Sequence, residues 1–162
     1  MKKIILTVFS LLALSATAES LKGGVVEEYI PEGFFGSWGV ISKLKTATTP
    51  EMFNFESKDV WMLSGYANTL ILENLESGAR SEIIIKEKSL DGKTLKFERE
   101  KSVKENNKKI VYTETVEFVL NGNNFKGTDS YKVEKYDTKG NKVKSDKAEY
   151  AISGVRISGT NP

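Results

Sequence analysis

The stretch that decides the fold is residues 94–136, TLKFEREKSVKENNKKIVYTETVEFVLNGNNFKGTDSYKVEKY. Apolar and polar residues alternate along it, as Leu95-Lys96-Phe97-Glu98 before Asn106-Asn107 and as Val116-Glu117-Phe118 after it. A period of two puts successive side chains on opposite faces of a pleated strand. Asn-Asn and Asn-Gly tolerate the positive φ that tight hairpins need, so the stretch reads as three antiparallel strands joined by short turns.

Working outward, the same rhythm runs from Gly36 towards the C-terminus. Strands predicted at 37–44, 59–64, 69–75, 81–88, 94–103, 108–120, 124–136 and 146–158 make about eight, the number at which a closed barrel has room for side chains or one small ligand. Leu90-Asp91-Gly92, Asn106-Asn107, Asn121-Gly122 and Gly140-Asn141 supply turns. No amphipathic helical pattern of useful length separates the strands, which argues against βαβ units. The expected fold is therefore all-β: an antiparallel up-and-down meander closing into a small barrel over 36–162, with 19–35 as a lead-in. One connection, 45–58, is long and carries Met52, Phe53 and Phe55. It reads either as a lid over the barrel mouth or as a cover for the core edge.

Turn positions set register, and register sets which side chains share a face. A two-residue turn at Asn106-Asn107 places Leu95 opposite Phe118, Phe97 opposite Val116 and Arg99 opposite Glu114. A turn at Asn121-Gly122 then pairs Phe118 with Phe125, Val116 with Gly127, Glu114 with Asp129 and Tyr112 with Tyr131. A turn at Gly140-Asn141 pairs Tyr131 with Tyr150, Asp129 with Ile152, Gly127 with Gly154 and Phe125 with Arg156. One face then holds Leu95, Phe97, Val116, Phe118, Phe125 and Ile152 and is the interior. The other carries Lys96, Glu98, Glu117, Lys126 and Lys132 and faces water. A charged outward face is the wrong surface for an outer-membrane barrel.

The interior face is not uniformly apolar. Arg99, Glu114 and Asp129 fall in one row, flanked by Tyr112, Tyr131 and Tyr150. Buried charges are costly unless paired. The row reads either as a satisfied structural network or as a polar anchor in a ligand cavity. Two acids against one base favour a cationic or hydroxyl-rich ligand over a fatty acid. The candidate cavity is Phe97, Arg99, Tyr112, Glu114, Asp129, Tyr131 and Tyr150.

The N-terminus reads as an export signal, which predicts a protein outside the cytoplasm. Lys2 and Lys3, the apolar run 4–14 and Ala16-Thr17-Ala18 form a cleavable signal peptide over 1–18, of bacterial type, implying a secreted or periplasmic protein. No cysteine follows the apolar run, so it is not a lipoprotein leader. Without Lys2 and Lys3 the 24 basic residues fall to the number of the 22 acidic ones, and the neutral remainder gives no field for nucleic acid. There is no cysteine and no histidine. Disulfide staples, Cys/His nucleophile pairs, Ser-His-Asp triads and ordinary zinc sites are thereby removed. No cofactor or metal is expected, and an enzyme would have to work with carboxylates, tyrosine, lysine or arginine alone.

Gly36-Ser37-Trp38 on the first strand, Phe34-Phe35 before it, a long first loop and Arg156 in the last strand together resemble the lipocalin and calycin barrels. The resemblance implies that Arg156 stacks on Trp38 and shuts the base of the barrel, a structural rather than a binding role. It implies a carrier for a small, partly apolar ligand, either hydrophobic or hydroxyl-rich. The alternative is a protein-binding module with a solid core. Such a module, an envelope accessory protein or a hydrolase inhibitor, would meet its partner through 66–68, 75–79 or the long loop.

Overall fold

Eight strands run up and down in chain order: β1 (Gly36–Ala47), β2 (Glu56–Tyr66), β3 (Thr69–Asn74), β4 (Ala79–Lys88), β5 (Thr94–Glu105), β6 (Lys108–Asn121), β7 (Asn124–Tyr136) and β8 (Lys142–Ser158). A computed structural model describes residues 32–66, 69–89 and 92–159. The leader, most of the lead-in, Ala67-Asn68 and the expected Leu90-Asp91 turn lie outside them. Every strand pairs antiparallel with the next, and β8 returns to β1, so the sheet is a closed barrel. Among the described residues the sheet therefore has no terminal edge strand. Among the described residues, no helix is long and apolar enough to cross a membrane.

The base of the barrel holds Gly36, Ser158 and the β6–β7 hairpin. The mouth holds the loop 48–55, the 74–79 turn and the β5–β6 and β7–β8 connections. β8 has 17 residues and β3 only six, so the wall is tall on one side and low on the other.

The β5–β6 register is the one expected: Leu95 faces Phe118, Phe97 faces Val116 and Arg99 faces Glu114. Asn106 and Asn107 form the turn with φ of 51° and 60°, the paired positive values of a type I′ hairpin. The next two registers differ from expectation. Asn121 pairs with Asn124, so the turn is Gly122-Asn123, with the positive φ at Gly122. Phe118 therefore faces Gly127, Val116 faces Asp129, Glu114 faces Tyr131 and Tyr112 faces Val133. The β7–β8 loop is longer than a Gly140-Asn141 turn. The Asp137 carboxylate accepts hydrogen bonds from the Lys139 and Asn141 amides at 2.8 and 2.9 Å and holds a wide loop between Tyr136 and Lys142. Tyr131 consequently faces Ala148, Asp129 faces Tyr150, Gly127 faces Ile152 and Phe125 faces Gly154. Both slips are of two residues, so no side chain changes face.

The lower half of the barrel is a packed aromatic floor. The Phe125 ring lies 4.6 Å from Phe118, 5.3 Å from Trp38 and 6.3 Å from Trp61, centroid to centroid, and Phe34 meets Phe118 edge-on at 5.4 Å. Gly154 makes this possible, because a Cβ there would stand 2.0 Å from Phe125 Cε1. With the ring wedged among three others, Gly154→Ala is expected to cost about 1–3 kcal/mol and lower Tm by roughly 5–10 °C. Adding Phe125→Leu should recover part of the loss in a thermal melt.

Trp38 and Arg156 are cross-strand partners at the base. The guanidinium lies 4.2 Å from the indole centroid and donates to the carbonyls of Phe35 at 2.6 Å and Gly33 at 2.5 Å, while Trp38 Nε1 donates to the Phe34 carbonyl at 3.1 Å. Gly36 allows the crossing, with φ of +121° and the Ser158 carbonyl 2.3 Å from where a Cβ would sit. Arg156→Ala removes two charged hydrogen bonds and a cation–π contact. The expected cost is about 2–3 kcal/mol, visible as loss of near-UV tryptophan dichroism before global unfolding.

Candidate functional site

Above the aromatic floor the interior turns polar. Arg99 on β5 forms an ion pair with Glu114 on β6 and donates to Ser81 Oγ on β4 at 3.3 Å. The Tyr131 hydroxyl on β7 donates to Glu114 Oε1 at 2.5 Å. Tyr131 and Tyr150 meet edge to face at 5.7 Å. On the opposite wall, Asp59 of β2 accepts from Ser57 Oγ at 3.0 Å and from Asn74 Nδ2 at 2.8 Å. Asn74 in turn accepts from the Glu76 and Ser77 amides, which ties the turn after β3 to the interior.

Asp129 is different. It lies on β7 between Val116 and Tyr150, with 0% of its surface exposed. Among the described residues neither carboxylate oxygen has a hydrogen-bond donor. Tyr131 is near, but its single hydroxyl proton is committed to Glu114. Burial pushes the Asp129 carboxyl up to about 7, against the lowering pull of the Arg99 charge and the Tyr131 hydroxyl, with Asp59 adding to the rise. The Ser42 hydroxyl on β1, also fully buried, likewise has no partner among the described residues. Burial, reinforced by the Asp129 charge, raises the Tyr150 phenol to about 12, and burial and Asp129 push Tyr131 well above its ordinary value. Both hydroxyls therefore keep their protons at any physiological pH.

The structure brings together five of the seven expected cavity residues: Arg99, Glu114, Asp129, Tyr131 and Tyr150. Phe97 belongs to the floor, where it packs on Phe118 at 6.3 Å. Tyr112 sits one inward position nearer the rim, opposite Lys101 and Val133, because of the β6–β7 slip. Ser42, Asp59, Asn74 and Ser81 are interior polar groups that the sequence reading did not reach. The alternation in β1 and β2 carries that signal, but the long connection between them leaves their register unfixed.

The β1–β2 loop closes the mouth. The Thr48 amide donates to the Lys147 carbonyl at 2.9 Å, Thr49 Oγ1 donates to Asp146 Oδ1 at 2.7 Å, and Lys144 Nζ reaches Met52 Sδ at 3.6 Å. Phe53 is buried against the core, and Met52 packs beside it. Phe55 departs from the expected lid set: with Phe53 filling the mouth, it is left 76% exposed.

A cleft of about 650 Å³ lies on the outer wall, lined by outward groups such as Thr46, Glu98, Thr115, Ser130 and Glu149 and reaching Tyr131 and Ala148 of the buried layer. It is open to solvent, so water satisfies its polar groups, and the buried layer remains the stronger candidate. Among the described residues no cluster of three or more acidic, histidine or cysteine side chains could hold a metal ion. No protein-family model matches the chain. A search of curated proteins finds no similar sequence.

Proposed function

We propose that this is a lipocalin-like carrier barrel of the cell envelope or its surroundings, taking a small, partly apolar ligand through the end covered by the 48–55 loop. The observation that carries the reading is the asymmetry of the interior. One end is shut by Arg156 stacked on Trp38 over a floor of packed aromatic rings. The other is covered by a loop fastened to β8 through Thr48 and Thr49, above a polar layer holding a carboxylate without a donor. A packing-only core gains nothing from an unsatisfied buried carboxylate, which costs about 1–3 kcal/mol or more. A binding layer does, because the occupant supplies the missing donors. Small residues, Ser42, Ser57, Ser81 and Ala148, alternate inward around that layer.

The leader reading and the cavity reading agree, since a protein exported without catalytic histidine or cysteine fits a binding role. The test is native mass spectrometry of the processed protein purified from its own host's envelope, against its denatured mass. A bound small molecule lost on denaturation is the expected result. A bare native mass, with a co-purifying protein held through the exposed Phe55 side of the loop, would move the account to the protein-binding alternative.

A further inference from the structure

We infer that the occupant of the barrel is an organic cation: a primary or secondary ammonium on an apolar body, its N–H groups held by Asp129 and Ser42. The inference rests on the carrier reading above and specifies its ligand. It follows from an accounting of donors. The middle layer contains three carboxylates, Asp59, Glu114 and Asp129, against the guanidinium of Arg99, with Lys101 one position nearer the rim on the same face of β5. Asp59 is served by Ser57 and Asn74, and Glu114 by Arg99 and Tyr131. Asp129 is served by no donor among the described residues, and Ser42 flanks the same strand, β8, from its other side.

An ammonium answers both vacancies, with charge for the carboxylate and a further N–H for the hydroxyl. Charge-assisted bonds of this kind are roughly twice as strong as neutral ones. A carboxylate ligand would meet a layer that already carries excess negative charge, where repulsion is poorly screened. A neutral alcohol brings one donor and no charge. A hard metal ion needs six or more oxygen ligands, and one carboxylate with one hydroxyl does not approach that. The Tyr131 and Tyr150 rings, packed edge to face, border Asp129, and an aromatic face turned to an ammonium there would favour it. The apolar body would take the space that Phe53 fills when the loop is shut.

The test uses ligand-free refolded protein at pH 8 and three soluble isosteres, 2-phenylethylamine, 2-phenylethanol and phenylacetate, titrated by calorimetry. The amine should bind one per barrel, at least tenfold tighter than the alcohol, and phenylacetate should not bind. Asp129→Asn should weaken the amine at least tenfold and leave the alcohol unchanged, and Ser42→Ala, which keeps the carboxylate, should weaken the amine severalfold. Equal binding of alcohol or phenylacetate would overturn the cation and leave the carrier reading standing. Amine binding indifferent to both substitutions, or no amine binding at all, would also overturn it. The native mass of the envelope-derived protein judges the carrier reading separately.

Discussion

Asp129→Asn should melt at nearly the same temperature as the parent at pH 4 and well above it at pH 8, in ligand-free protein. The sign follows from linkage. The folded-state carboxyl is pushed up to about 7, above the value of about 3.9 in an unfolded chain. Between those limits the native state binds more protons than the unfolded state, so stability falls as pH rises through that window and levels off beyond it. The loss is at most about 4 kcal/mol by that difference, and less where the surrounding groups relax. Those groups are Asp59 on β2, Arg99 and Lys101 on β5, Tyr112 and Glu114 on β6, Tyr131 on β7 and Tyr150 on β8. Asparagine keeps the shape and drops the charge, so the parent's decline between pH 4 and pH 7 should flatten in the variant. A parallel decline in both proteins would show that Asp129 is not the group responsible.

Arg99→Met should be the most damaging single change in the polar layer, at about 3–5 kcal/mol. The Arg99 side chain is 10% exposed and that of Glu114 4% exposed, so removing the guanidinium strands a buried charge rather than a solvated one. Tyr131 alone cannot compensate, since it offers Glu114 one neutral donor. Arg99→Met combined with Glu114→Gln should recover most of the loss, because Glu114 then no longer carries a stranded charge. A double-mutant cycle in urea gives the coupling, expected at about 2 kcal/mol or more. Additive losses would mean that the two side chains do not depend on each other.

Much of the barrel was legible because strand faces survive errors that strand pairings do not. Asn106-Asn107 could be read directly, since both residues adopt the left-handed conformation that their type tolerates. At Asn121-Gly122 the glycine takes the first central position of the turn, and at Gly140-Asn141 the Asp137 side chain organises a wider loop. Each error moved the register by two, so Arg99, Glu114, Asp129, Tyr131 and Tyr150 stayed inside while their partners changed. That change matters chemically. The expected row lets Arg99 bridge both acids, whereas the observed register places Val116 beside Asp129 and gives the guanidinium to Glu114. The donorless carboxylate is therefore a product of register, which no local pattern reveals. Asp59 and Ser42 were illegible for a related reason, because β1 and β2 are joined by a loop whose length fixes no pairing. That loop was recognised from its apolar residues, but which of them enters the mouth depends on how Thr48 and Thr49 fasten it to β8.

The most direct test is a ¹³C NMR titration of the Asp129 side-chain carboxyl in the ligand-free protein, repeated with saturating 2-phenylethylamine. The account predicts a midpoint near 7 without the amine. With it, the midpoint should fall by more than one unit, because an ammonium favours the charged carboxylate. A midpoint in the ordinary aspartate range under both conditions would contradict it, by showing that Asp129 already has the donors that the proposed ligand is needed to bring.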